Sequence, residues 1–489
     1  MDAIKNRTCS TFNMITYSTG ECASSLLGNT LSAFAMLYYT DALGLSSALA
    51  GTALGVSVLW NGIIGPIMGH ISDNTRSRYG RRHPYMLVGG LAMVVGFFFV
   101  WYVPEVFARN ATWLFWYLMI VNMMVRTAFT VFMIPYIALG FEICTDYAGR
   151  TKLQGVKGAL NMIANLCGPA LSWTIFFGNN ENVRATSVSQ NYLNMGTVFT
   201  VICLFFVMLV FWSTLKYRDD CRGSKLMGNS IAAFLLNMRE IITDRFSRWV
   251  FAYQFTGLLG LALASILQMY LYEHFMRFAG IEKTLAHGGT MVGAGLGGLF
   301  ASVVVRHFDK KPAIYIGCLF SVVSNLILAA LFLPGFLKPG QSFLIAGIGM
   351  PIASVVFIFF HAAYWFGIGV MGTVAFSMLA DVSEIHELKT GTKKDGGYSS
   401  VFGFASELSI SIGTMLSGYC LMAIGFVAGK VQSSDVVLRL AAITFLAGPI
   451  ISLIALVLIH KYPVDRDFIE RIRKEAAAAL CSGNKATSK

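Results

Sequence analysis

LWNGIIGPIMGHISDNTRSRYGRRHP, Leu59 to Pro84, decides the fold. An apolar run ends at Gly69, Asp73 and the bases Arg76, Arg78, Arg81 and Arg82 follow, and Pro84 opens the next apolar run. So short a polar hinge between two apolar runs is what a chain turning at a bilayer surface needs, since a bilayer core takes about 20 apolar residues per helix. VRHFDKKP, Val305 to Pro312, repeats the punctuation of Asp, bases and Pro about six spans later. The recurrence suggests two halves related by duplication.

Working outward, the apolar runs predict spans over 14–40, 46–69, 84–104, 113–140, 156–178, 195–215, 249–272, 285–305, 313–334, 354–380, 399–425 and 437–460. Pro351 should break the long stretch 342–380 and leave an apolar lead-in before span ten. An even span count puts both termini on one face. That face then holds about 29 Lys and Arg against about 7 on the other, which makes it the cytosol. The longest cytosolic connection, 216–248, divides six spans from six. The expected domains are a bundle over 1–215, this linker, a second bundle over 249–460 and a cytosolic tail over 461–489. IAAFLLNMREIITD (231–244) in the linker and DRDFIERIRKEAAAAL (465–480) in the tail have the spacing of interfacial amphipathic helices.

Composition agrees. The chain of 489 residues is 56% hydrophobic and 13% charged, where a soluble enzyme carries about 25% charged residues. The net charge of +12 sits between apolar runs, so it reports membrane topology, not a nucleic-acid partner. Nine Cys are scattered without metal or disulfide spacing. The polar start MDAIKNRTCSTFN does not read as a cleavable signal, so the first span should be its own insertion signal. Asn110-Ala-Thr112 is a glycosylation sequon close to the membrane. No Ser-His-Asp order, ligand cluster or phosphate loop appears, and the glycines of GAGLGGLF (Gly293–Phe300) lie inside a span. An enzyme and a resident cofactor are therefore not expected.

Several segments, in order, resemble the glycoside–pentoside–hexuronide cation symporter family of the major facilitator superfamily, to which melibiose permease belongs. They are YSTGE (Tyr17–Glu21), YYTDALGLS (Tyr38–Ser46), Leu59–Pro84, IPYIALGFEICTDYAGRTKL (Ile134–Leu153), LADVSEIHELKTGTKKDGG (Leu379–Gly397) and YPVDRDFIERI (Tyr462–Ile472). The resemblance implies an all-α membrane protein of the major facilitator fold: twelve helices in two six-helix bundles, both termini inside. It also implies a central cavity opened to each side in turn, and transport driven by a cation gradient. Where melibiose permease holds sodium and sugar with acidic residues on helices one, two and four, this chain has Ser25, Asn61 and Gly65, and Met133. Met371 stands where that relative stacks a Trp on its sugar. A proton is therefore favoured over sodium as coupling ion.

An ionisable side chain costs about 2.5–3.5 kcal/mol at a helix centre even on the lenient scale, so each is a functional candidate. Arg126 lies in mid-span four, either ion-paired to a helix-one carboxylate or gripping a substrate carboxylate or hydroxyls. Glu21 and Glu407 lie in the cytosolic halves of spans one and eleven. A carboxylate there without a cation could load and release a proton; the alternative is helix packing. The family often has Lys where Glu407 stands. Lys157, at the start of span five, could reach the substrate or the headgroups. Ser25, Asn29, Asn61, Asn122, Gln254, Gln268, His361 and Trp365 are candidates for reading and stacking a sugar, each also able to serve as an interhelical contact. Asp73, Arg78, Arg82, Glu142, Arg150 and Asp381 could close the inner face by ion pairs.

Three functions stay open: a proton-coupled carrier of a sugar, glycoside or sugar acid, a carrier of a lysophospholipid-like amphiphile, or a substrate sensor without turnover. The partners expected are a small molecule and the lipid bilayer, for a monomer in the plasma membrane.

Overall fold

The structure, a computed structural model, describes residues 10–75, 77, 79–143, 147–178, 184–217, 238–339, 342–345, 348–390 and 394–475. Each expected span overlaps a long helix, although span five runs past its helix at Asn165 through a π-helical turn into a short helix, Leu171–Ile175. The long helices are α1 (Thr11–Leu37), α2 (Ser47–Asn74), α3 (His83–Trp101), α4 (Ala111–Ile143), α5 (Tyr147–Asn165), α6 (Ser189–Thr214), α7 (Ser247–Tyr270), α8 (Gly280–Phe308), α9 (Lys310–Phe332), α10 (Ile352–Thr390), α11 (Asp395–Ala423) and α12 (Ser434–His460). The two hinge motifs work alike. Pro84 occupies the first turn of α3, where its missing N–H costs nothing. Asp309, at φ 75°, caps α9 through a 2.7 Å bond from the Lys310 N–H, and Pro312 again falls in the first turn.

Among the described residues, nine helices are long and apolar enough by themselves to cross a membrane. The long helices outside that set are α1, α5 and α11, which carry Glu21, Lys157 and Glu407. Helices α1, α5 and α7 each run on into a π-helical turn, Tyr38–Ala42, Leu166–Ala170 and Leu271–Phe275. In the second, Pro169 removes a backbone donor.

The chain forms two compact units. Unit 1 comprises Met1–Gly228, Ser265–Gly288 and Thr414–Leu440. In it α1 packs on α5 and α6, and α4 packs on α2 and α3. Gly51 of α2 meets Gly418 of α11 so closely that a Cβ there would sit 3.0 Å from the Gly418 Cα. Unit 2 comprises Asn229–Ala264, Gly289–Gly413 and Ala441–Lys489. Its core gathers Val250, Tyr253, Ile314, Val370, Val374, Met378, Val401 and Ile459 from α7, α9, α10, α11 and α12. The small residues of GAGLGGLF serve helix contact, as expected: Gly293 and Gly297 lie directly against the Ala362 and Phe366 carbonyls of α10.

One expectation needs correcting. The lead-in before span ten is a short antiparallel hairpin, β1 (Ser342–Ile345) and β2 (Ile348–Pro351), with Ser342 opposite Pro351. Pro351 does end it, and α10 starts at the next residue. Of the linker helix, residues 238–243 are helical and 231–237 lie outside the described residues. The tail is helical over 466–475. Phe468 of the tail packs on Phe246 at 5.5 Å, and Lys394 bonds both Glu240 oxygens at 2.7 and 2.8 Å. That ammonium holds the Glu240 carboxyl below the usual carboxylate range.

Candidate functional site

The sequence places Glu21, Ser25 and Asn29 four residues apart on α1, and Lys157, Asn161 and Asn165 four apart on α5. Residues at i and i+4 share a helix face, so each helix presents a polar stripe. Packing α1 on α5 joins the stripes. Lys157 Nζ lies 2.8 Å from Glu21 Oε1, with the two side chains 10% and 13% exposed. Asn161 Nδ2 donates to Ser25 Oγ at 2.5 Å, Asn165 Nδ2 donates to Asn161 Oδ1 at 2.9 Å, and Asn29 donates to Asn165 Oδ1. The result is a ladder of one ion pair and three amide or hydroxyl bonds between α1 and α5.

Lys157 has a second set of contacts. Its ammonium lies 5.0 Å from the Tyr136 ring centroid and 5.8 Å from that of Tyr17. The two rings stack at 4.6 Å, and each hydroxyl donates to the other residue's carbonyl, at 2.6 and 3.2 Å. Gly20 makes room: a Cβ there would sit 2.5 Å from the Tyr136 ring. Ring faces stabilise the ammonium as the carboxylate does. Glu21 is therefore not the carboxylate without a cation that the sequence suggested, because Lys157 neutralises it. Lys157 is correspondingly buried, and points to Glu21 and not to headgroups.

The remaining unit 1 candidates bridge helices. Asn122 donates to Tyr39 Oη at 2.5 Å and to the Leu118 carbonyl at 2.7 Å. Arg126 is half-buried one turn along α4 from Asn122. Thr130 donates to Asn61 Oδ1 at 2.5 Å, and Trp60 Nε1 donates to Thr127 at 2.9 Å, tying α2 to α4. Gln268 is buried in unit 1.

Unit 2 holds Gln254, His361, Trp365 and Glu407. A cavity of about 310 Å³ lies among α7, α10, α11 and α12, lined by Tyr253, Gln254, Tyr364, Met371, Phe376 and Ser406 among others. Gln254 donates to Ser406 Oγ at 3.4 Å. Its walls are mostly aromatic and apolar, with glycines at 257 and 372 where a Cβ would meet nothing within 4 Å. His361 is buried between the Phe357 ring at 4.9 Å and the Tyr364 ring at 6.0 Å, and Trp365 meets Tyr364 edge-on at 6.0 Å. Glu407 is half-buried, next in sequence to Ser406 of the cavity wall.

Of the cytosolic set, Arg78 lies outside the described residues, as do the side chains of Asp73, Glu142 and Arg150. Arg82 is buried. Asp381 pairs at 2.5 Å with Lys310, which also donates to the Ser377 carbonyl at 3.0 Å. This pair ties α10 to α9 within unit 2. Glu384 forms a two-pronged pair with Arg473 of the tail at 2.6 and 2.8 Å.

Sequence reasoning missed Asn161 and Asn165, although their i, i+4 spacing from Lys157 was visible. It also missed the buried charges at the other end of unit 1. Lys283 pairs with Glu273 at 2.6 Å and lies 5.1 Å from the Trp173 ring, and His274 lies 3.2 Å from Asp41. Among the described residues, no group of three or more His, Cys, Asp or Glu is placed to hold a metal ion.

With this geometry in hand, a family model described as MFS/sugar transport protein matches residues 16–466. The isoprimeverose transporter of Lactiplantibacillus pentosus is 24% identical over 86% of this chain and 81% of its own. The glucuronide carrier protein homolog of Escherichia coli is 20% identical over 95% of both chains. The sodium-dependent lysophosphatidylcholine symporter 1-B of Danio rerio is 22% identical over 94% of this chain and 88% of its own. Among solved structures, a D-xylose–proton symporter aligns with a TM-score of 0.60 at 13% identity, covering 92% of this chain and 97% of that one.

Proposed function

Because the chain belongs to the MFS/sugar transport protein family, we propose that it is a proton-coupled symporter for a sugar, glycoside or uronide. It works as a monomer by alternating access between two six-helix bundles, 1–215 and 249–460. The observation that carries this reading is the buried Glu21–Lys157 pair at the end of the α1–α5 ladder. Protonating Glu21 cancels its attraction for Lys157. The ammonium is then free for a substrate hydroxyl or carboxylate, and the Asn161, Asn165 and Asn29 amides can exchange their mutual bonds for bonds to hydroxyls. Proton and sugar favour the same rearranged state, so each tightens the binding of the other, which is the thermodynamic content of symport.

Sodium fits less well. It needs several oxygens and a carboxylate whose charge is unclaimed, and Lys157 claims that of Glu21. The names of the isoprimeverose and glucuronide relatives support a sugar or sugar acid as cargo. Arg126 near mid-span favours the sugar acid. The lysophospholipid alternative needs an apolar trough for an acyl chain, and the small-residue face of α8 is instead filled by the α10 backbone.

Reconstituted vesicles test the reading with labelled glucuronide and methyl glycoside under separate proton and sodium gradients. A proton gradient should drive accumulation and a sodium gradient should not. Glu21→Gln should lose gradient-driven accumulation yet still exchange labelled for unlabelled substrate. Accumulation driven by sodium alone would overturn the proton assignment.

A further inference from the structure

The π-helical turns that end α1 and α7 carry Asp41 and His274, both buried in unit 1 and both unused by the mechanism above. They lie at the non-cytosolic ends of their helices. His274 Nε2 is 3.2 Å from Asp41 Oδ2, and His274 Nδ1 is 3.0 Å from Arg184 Nη1. A guanidinium has donors only, so Nδ1 must accept. The imidazole is therefore neutral, and its single proton sits on Nε2 and is donated to Asp41. The other arm of Arg184 donates to the Lys430 carbonyl at 3.0 Å, and Thr186 donates to Asp41 Oδ2 at 3.2 Å. One uncharged ring thus joins α1, α7 and the connections that follow α5 and α11.

The groups around the ring leave little else to titrate. On its own turn, Glu273 is held by Lys283 of α8 at 2.6 Å. Tyr270 stacks on the imidazole at 6.1 Å, shares a 2.7 Å bond with Thr40 and donates to the Met36 carbonyl at 3.1 Å. From α6, Tyr192 donates to the Thr186 carbonyl at 3.0 Å. From the connection after α11, Phe426 meets the ring edge-on at 5.2 Å, and Lys430 offers only its backbone to Arg184. The local charge balance is Asp41 against Arg184, with the imidazole between.

We infer that His274 is a proton-binding site whose occupation releases Arg184, and with it the connections after α5 and α11, from the outer ends of α1 and α7. A proton from the outer solution can add only at Nδ1, which Arg184 occupies. Its arrival breaks the Arg184 bond and sets two cations against each other, while the imidazolium keeps its bond to Asp41. Loss of Arg184 frees the connection after α11, and the closure at this end loosens. The site stands on its own geometry; its purpose, opening towards an acidic outside, rests on the proton-symport reading.

Hydrogen–deuterium exchange of the full-length protein without substrate tests this independently of transport. Labelling at about pH 5.5 and about pH 7.5 brackets the ordinary imidazole range, with times scaled for intrinsic exchange. Peptides covering 184–192 and 420–433 should exchange at least about threefold faster at the lower pH. In His274→Gln the side chain can donate to Asp41 and accept from Arg184 but cannot titrate, so both peptides should stay slow at both pH values. Arg184→Leu removes the contact that protonation must break, so both should be fast at both pH values. A wild-type pH response surviving in either variant would overturn the inference. Because no substrate is present, an uptake assay that fails leaves this result readable, and the reverse holds too.

Discussion

Lys157 is held between a carboxylate and two stacked rings, and each contact sets a different measurable quantity. Removing one member of a buried ion pair strands the other charge and costs about 3–5 kcal/mol, whereas neutralising both removes the problem. Lys157→Gln should therefore lower the midpoint of thermal unfolding markedly. Glu21→Gln with Lys157→Gln should recover most of that loss but show no proton-driven accumulation. A double variant no more stable than Lys157→Gln would mean the pair is not formed. Glu21, Ser25, Asn29 and Lys157 were legible as candidates because a polar group inside an apolar run stands out. Their partnership was not, since it depends on which face of α1 meets which face of α5. Asp41 and His274 escaped notice for a related reason. At the ends of apolar runs, charges look like solvated loop residues, and only the packing of α1, α7 and the connection after α5 buries them.

At the scale of the helix, the bilayer does most of the specifying. Its thickness fixes span length, so helix positions could be read from apolar runs even where α1, α5 and α11 are diluted by polar residues. The β1–β2 hairpin was not legible, because a short apolar stretch before a proline is equally compatible with a helix end and with paired strands. Between helices no hydrophobic drive operates in lipid, so α8 and α10 hold together by close backbone approach. Gly297 lies against the Phe366 carbonyl and Gly369 against that of Ala294, which fits the contact only while both stay small. Gly297→Leu should separate the helices and destabilise the protein by about 1–3 kcal/mol, the usual cost of overpacking, seen as a lower unfolding midpoint in detergent. Gly257→Leu, where a Cβ meets nothing within 4 Å, should cost much less and acts as the control.

For the molecule as a whole, charge decides which way round it sits. About 29 Lys and Arg on one face against about 7 on the other is far beyond what a balanced chain would show, and translocating bases is disfavoured. That asymmetry puts Asp41 and His274 at the outer surface and the Asp381–Lys310 brace at the cytosol, so every statement about which solution loads or releases a proton depends on it. Two positions report it directly. Val431, 84% exposed in the connection between α11 and α12, should be outside, and the exposed Lys461 just past α12 should be inside. In intact cells a membrane-impermeant maleimide should label Val431→Cys above the background of the native cysteines and leave Lys461→Cys unlabelled until the membrane is opened. The reverse pattern would invert the molecule, make His274 a sensor of cytosolic pH, and require the direction of coupling to be rewritten while leaving the fold untouched.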